Sequence, residues 1–411
     1  MTRALAATPY TRKSLRLALL GAASSLALAA LTSGAEAFPV PCDDDFGAHN
    51  FTCGNNATTF NGSATAVGDT ADSNGSGTSV GASATSAPNG AAFGANALAG
   101  FSDFGTAIGS GALAIGATSN ASTAVGGNAN AGGVDRILGT ANGGATAIGA
   151  NAQAGNTAVG QVNATAVGGN ASAHGASATA VGGLAQANAG NATAVGQGAT
   201  ANGPNSAAFG QSTHADFDDA SALGQRSNAT AVGATVVGAA SLASGQFSTV
   251  VGSFANAGGT AGNAGTTAIG GHAQAGATAT GETNATAVGD SARANQANAT
   301  AIGQSATTGI NATAIGQAAF ANSASTALGQ NDQAGSVLAV AVGQGAQANS
   351  LFSSPLVRMR MRAGSNLLLW ASSRLQSAEA LRRSARSRKP PESHRLRSAA
   401  VPPRAASAAM G

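Results

Sequence analysis

Residues 177–210 read SATAVGGLAQANAGNATAVGQGATANGPNSAAFG, and the spacing of three glycines within them decides the fold. Gly182, Gly196 and Gly210 each close a tetrad of the Thr-Ala-Val-Gly type and stand fourteen residues apart. The same interval carries the register from Gly168 through Gly224 and Gly238 to Gly252. Outward from this run the marker recurs at Gly68, Gly81, Gly94, Gly109, Gly126, Gly149 and Gly160 on one side. On the other it recurs at Gly270, Gly289, Gly303, Gly316, Gly329 and Gly343, with some intervals of thirteen. A fixed period of this length is the signature of a stacked repeat, in which each unit buries its surface only against its neighbours.

Each unit has a physical reading. In Asn191-Ala192-Thr193-Ala194-Val195-Gly196 the threonine and valine alternate with alanine, which is the period of a short strand. The residue before the marker is large and apolar in six successive units: Val181, Val195, Phe209, Leu223, Val237 and Val251. These six are the expected core of the coil. A second alternation follows at Ala185, Ala187 and Ala189, and glycine or asparagine recurs where the chain must turn through positive φ. Two strands and two tight turns per unit predict an all-β fold, a narrow parallel β-solenoid of about twenty coils. At ~4.8 Å per coil the rod is on the order of 100 Å long. So thin a coil encloses little apolar surface, so further burial is expected from other copies of the chain.

Composition excludes much else. The chain holds 59 Gly, 9% charged and 4% aromatic residues in 411, so an ordinary globular core is ruled out and only periodicity offsets chain entropy. The net charge of +3 averages unlike segments: residues 38–350 sum to −10 and contain no lysine, whereas 351–411 sum to +10. An acidic, lysine-free body predicts no nucleic-acid partner. Its glycines are read as turns rather than phosphate loops, since no Gly-Lys-Ser/Thr occurs. No catalytic constellation, cofactor site or metal site is expected. His49, His174, His214, His272 and His394 occupy unlike places, and Asp43-Asp44-Asp45 and Asp216, Asp218 and Asp219 lack the spacing of calcium-binding repeats. Asn191, Asn205, Asn284, Asn298 and Asn311 share one register, which predicts side-chain ladders interrupted by Ser177 and Asp219.

The first 37 residues read as a signal peptide: basic at Arg3, Arg12, Lys13 and Arg16, apolar from Leu17 to Leu31, with a small-residue end at Ala35-Glu36-Ala37. Residues 38–60 form an N-terminal segment with the only two cysteines, Cys42 and Cys53. Export favours one local disulfide between them, with a free or metal-binding pair as the alternative.

The Asn-Ala-Thr-Ala-Val-Gly and Asn-Ala-Thr-Ala-Ile-Gly units at 191–196 and 311–316 resemble the head repeats of YadA-like trimeric autotransporter adhesins. The resemblance covers roughly residues 61–350. It implies a left-handed parallel β-roll, a homotrimer, attachment to host matrix or other cells, and a place at the cell surface or outer membrane. In that family a neck, a coiled-coil stalk and a β-barrel anchor follow the head. Residues 351–411 depart from this plan, being rich in Arg, Ser and Pro without heptads or alternating strands. Three readings of this tail compete: a basic amphipathic segment, a disordered extension, or an out-of-frame translation of the missing anchor. The last is preferred because GC-rich coding yields Arg, Ala, Pro and Ser in its other frames.

Set beside the adhesin are three other readings. One is a structural coat or spacer solenoid that stays secreted, and another is a truncated adhesin without function. The third is an ice- or mineral-binding array built on Thr179, Thr193, Thr235 and Thr249, which Ala207 and Ser221 interrupt. Insertions are expected between Gly109 and Gly168 and around Gly252, Gly270 and Gly289.

Overall fold

A computed structural model describes residues 42–45, 49–100, 104–115, 121–133, 142–259, 263–351 and 353–354. The segment read as a signal peptide and nearly all of the basic tail lie outside these residues. Among the described residues the fold is a parallel β-solenoid of about twenty coils, without helix. Each coil contributes one strand to each of two sheets, as Thr193–Val195 and Thr200–Ala201 do. Strands of successive coils pair in parallel and in strict register, Thr179 with Thr193 and Val181 with Val195 in the first sheet, Gln186 with Thr200 in the second. The first sheet is the one that carries the marker tetrads.

The interior is made mainly of alanine methyl groups. Four side chains point inward per coil, and in the coil that ends at Gly196 they are Ala185, Ala187, Ala192 and Ala194, none of them solvent-accessible. This corrects the expected core. The residues before the markers are on the outside: Phe209 is 39% exposed, Leu223 50%, Val237 37% and Val251 39%, while Val181 and Val195 are half-buried. Alternation along a strand separates two parities without saying which faces in. The width of the roll decides it. Alanine takes the inside in most coils, serine or threonine such as Thr213 and Thr266 in some, and among the larger apolar side chains only Val236 and Val250 are fully buried there.

The two turns of a coil differ. In every described coil the second strand begins four residues after the marker, as Gln186 follows Gly182 and Thr200 follows Gly196. The marker itself has φ near +130°, at +131° in Gly168 and Gly182 and +134° in Gly196. A Cβ on Gly182 would lie 2.6 Å from the carbonyl oxygen of Gly196 in the next coil. Glycine is therefore required twice over, by its φ and by the close stacking of coils. Two residues later the chain takes a left-handed conformation that tolerates side chains: Leu184, Ser212, Arg226, Ala240 and Phe254 all occupy it.

All variation in coil length falls in the other turn, between a second-sheet strand and the next first-sheet strand. One insertion runs between Gln153–Ala154 and Thr165–Val167, another between Gln274–Ala275 and Thr286–Val288. Gly160 therefore does not mark a coil. Its tetrad Thr157-Ala158-Val159-Gly160 lies in the first of these insertions, with Val159 68% exposed.

At the N-terminal end Cys42–Asp45 pairs antiparallel with Asn50–Cys53, which begins the parallel stack by pairing with Thr65–Val67. A disulfide joins Cys42 to Cys53 across this hairpin.

Candidate interaction surfaces

Because alanine fills the inside, each first-sheet strand turns its two larger residues outward, and stacking makes them continuous columns. One column holds the residue before each marker, running from Phe93 and Ile108 through Phe209, Leu223, Val237 and Val251 to Leu328. The other holds mainly half-buried threonine, including Thr179, Thr193, Thr235 and Thr249, with Ala207 and Ser221 between them. Among the described residues neither column carries a charged side chain. An apolar strip of this length is far larger than the patches isolated soluble chains ordinarily leave in water. At Ala207 and Ser221 the strip deepens into a groove of about 430 Å³, walled by Phe209, Leu223 and Val237.

The second sheet presents the opposite character. Its one outward position per strand is mostly polar: Gln153, Ser172, Gln186, Thr200, His214, Asn228, Asn256, Gln274 and Arg293. The first sheet is thus the apolar face of the rod and the second its polar face.

Amide ladders line both edges. Asn191 Nδ2 donates to Asn205 Oδ1 at 3.2 Å, and Asn205 Nδ2 to Asp219 Oδ1 at 3.2 Å. Asp219 therefore extends this ladder as its last acceptor, where an interruption was expected. Asn284, Asn298 and Asn311 form a second run at 3.3 and 3.0 Å. Two further sets were not anticipated. Asn188 and Asn202 lead to Asp216 at 2.7 and 2.8 Å. Gln304, Gln317, Gln330 and Gln344 link in series at 3.1, 2.8 and 3.0 Å, and Gln197, Gln211 and Gln225 repeat the pattern. The sequence does hold a signal for the glutamines, since each directly follows a marker glycine. Exposed amide pairs add little individually, but their repetition stiffens the edges.

The two insertions are built alike. Asn142, buried in the preceding coil, donates to the carbonyls of Gly155 and Ala158 at 2.7 and 2.6 Å and accepts from Gly160 N–H at 2.8 Å. Asn263 does the same for Gly276, Ala279 and Gly281 at 2.8, 2.5 and 2.7 Å. Gln161 and Glu282 then close each loop by accepting from the backbone of Thr157 and Ala158, and of Thr278 and Ala279. These loops are ordered projections on one edge of the rod.

Among the described residues no three His, Cys, Asp or Glu side chains gather as a metal-binding group. His174 lies half-buried with Nε2 2.7 Å from Ser172 Oγ, and burial lowers its pKa below the usual imidazole value. His272 stacks on Phe254 with ring centroids 5.4 Å apart. Asp216 and Asp219 serve as ladder acceptors, and Glu282 as a loop clamp.

Comparison with known families agrees with this geometry. The YadA head domain repeat matches residues 160–185, 173–199, 187–213, 201–227, 218–241, 229–255, 281–306 and 308–331. The first six matches overlap and step by about one coil each, and the last two fall on separate coils further along. No curated protein matches the chain.

Proposed function

From the premise that residues 160–331 form a YadA-like head region, which indicates an adhesin-type family, we propose that the chain attaches cells to host matrix or to other cells. Copies of the chain associate side by side through the apolar first-sheet face into a homotrimer. The polar second-sheet face and the insertion-bearing edge are left to meet extracellular-matrix or cell-surface molecules. Binding is spread over repeated shallow contacts, so three chains acting together supply avidity that one coil lacks. The chain acts outside the cell, exported and held at or released from the surface, as a binding module rather than an enzyme.

The observation that carries this reading is the separation of the two faces: an uncharged apolar strip on one sheet and a hydrated polar surface on the other. The test is attachment of the purified full chain to immobilised matrix proteins and cultured cells, with its mass in solution measured alongside. Saturable attachment by a three-chain particle supports the proposal. A three-chain rod that attaches to neither would point instead to the spacer reading, for which the stiffening amide ladders also speak.

A further inference from the structure

The two outward columns of the first sheet exchange size. Where the threonine column shrinks, to Ala91, Ala207 and Ser221, the other column swells on the same strand, to Phe93, Phe209 and Leu223. The first parallel strand shows the reverse, with Phe51 in the threonine column and Cys53 in the other. Most other strands pair threonine with valine or isoleucine. Within one chain this exchange does not close the surface. The groove over Ala207 and Ser221 stays open, and Phe209 and Leu223 remain 39% and 50% exposed beside it.

We propose that this exchange sets the register between copies: Phe209 and Leu223 of one chain seat on Ala207 and Ser221 of the next, with all chains parallel. The inference rests on the self-association reading and adds what aligns it. Closed rotation of one face onto the next brings unlike edges of that face together. The rotation axis then runs along the rods, so every residue keeps its height. A knob in one column thus meets the hole in the other column of the same coil. An antiparallel pair would instead put Phe209 against a different coil.

Alignment needs such a device because the coils are nearly interchangeable. A slip of one coil, ~4.8 Å, costs little where every coil reads Thr-Ala-Val. After a slip in one direction Phe209 faces Thr193, and in the other Leu223 faces Thr235, so holes and knobs no longer match. Phe93 and Ala91, seven coils away, give a second landmark at a distance the first does not repeat. The absence of charge from both columns among the described residues removes any electrostatic penalty for stacking like against like.

The test uses the full chain as wild type, Ala207→Phe, Phe209→Ala and the double swap of both. Mass is followed by light scattering on dilution, and circular dichroism reports whether the coil is intact. Ala207→Phe sets two phenylalanines against each other and is expected to weaken assembly about tenfold or more with unchanged dichroism. The double swap moves knob and hole to opposite columns and is expected to recover most of that loss. Independently, chains with Ala207→Cys mixed with chains with Phe209→Cys should oxidise to a cross-linked product. Ala207→Cys with Val237→Cys, two coils away, should not, because Cα atoms beyond about 7 Å cannot be bridged. The native cysteines are already paired and do not compete. A swap as weak as the single variant, or equal cross-linking by the control pair, overturns the register and leaves assembly standing. A wild type that stays single-chain at every concentration overturns the assembly itself.

Discussion

Replacing Gly182 by alanine tests the stacking of coils most directly. Its φ of +131° is one that side chains avoid, at a cost of about 1–3 kcal/mol. The added Cβ also falls 2.6 Å from Gly196 O and 2.7 Å from Gly196 C, both backbone atoms that cannot rotate away. Relief requires the two coils to part. That strains packing by roughly 1–3 kcal/mol and lengthens the 2.8 Å bond from Gly196 N–H to Val181 O, worth about 1 kcal/mol. The sum is about 3–7 kcal/mol.

Gly198 is the matched control. It too has positive φ, +63°, but a Cβ there would meet nothing nearer than Ser212 Oγ at 3.9 Å. Alanine already occupies the equivalent place at Ala240 and Ala318. Gly198→Ala is expected to cost about 1 kcal/mol or less, since loss of unfolded-state freedom offsets the left-handed strain. Equilibrium urea unfolding of the two variants, followed by circular dichroism, compares them. Because each coil touches only its neighbours, Gly182→Ala is also expected to broaden the transition by weakening one interface. Equal stability of the two variants would refute the stacking argument.

Three further outcomes are expected. Asn263→Ala removes the clamp on the 276–282 loop and should cost about 2–4 kcal/mol locally, seen as faster protease cleavage there while the equivalent 155–161 loop is unchanged. In the interior, Ala194→Val should be tolerated at about 1.5 kcal/mol or less, as Val236 and Val250 are in the same row, whereas Ala194→Leu should overfill the coil and lower the melting temperature clearly. His174 binds protons less readily when folded than when unfolded. Its contribution is therefore complete above the ordinary imidazole value of about 6.5 and is lost as pH falls below it toward the lowered folded value. A melting temperature that declines from pH 7 to 5, less steeply in His174→Gln, checks this sign.

The ladders show how legible the surface was. The asparagine run could be read from spacing alone, because its members share one place in the unit. Asp219 was misread as a break because a carboxylate differs from an amide as a residue type, although it accepts the same hydrogen bond. The tetrad at Thr157–Gly160 misled for a related reason. It matches the repeat locally, but Asn142 holds the loop outside the stack, and that contact joins residues far apart in the chain.

What the sequence by itself determined is the period: the coil length, two strands and two turns per coil, and the glycine at each marker. All of these follow from local backbone requirements repeated along the chain. What only the tertiary structure decided is which parity faces inward. Alternation is symmetric, and the preference for burying larger side chains points the wrong way here. Alanine fills most inward positions of the narrow roll, with serine, threonine and two valines in others, so small side chains form the core. The valines, isoleucines and phenylalanines are turned out onto the surface of the first sheet.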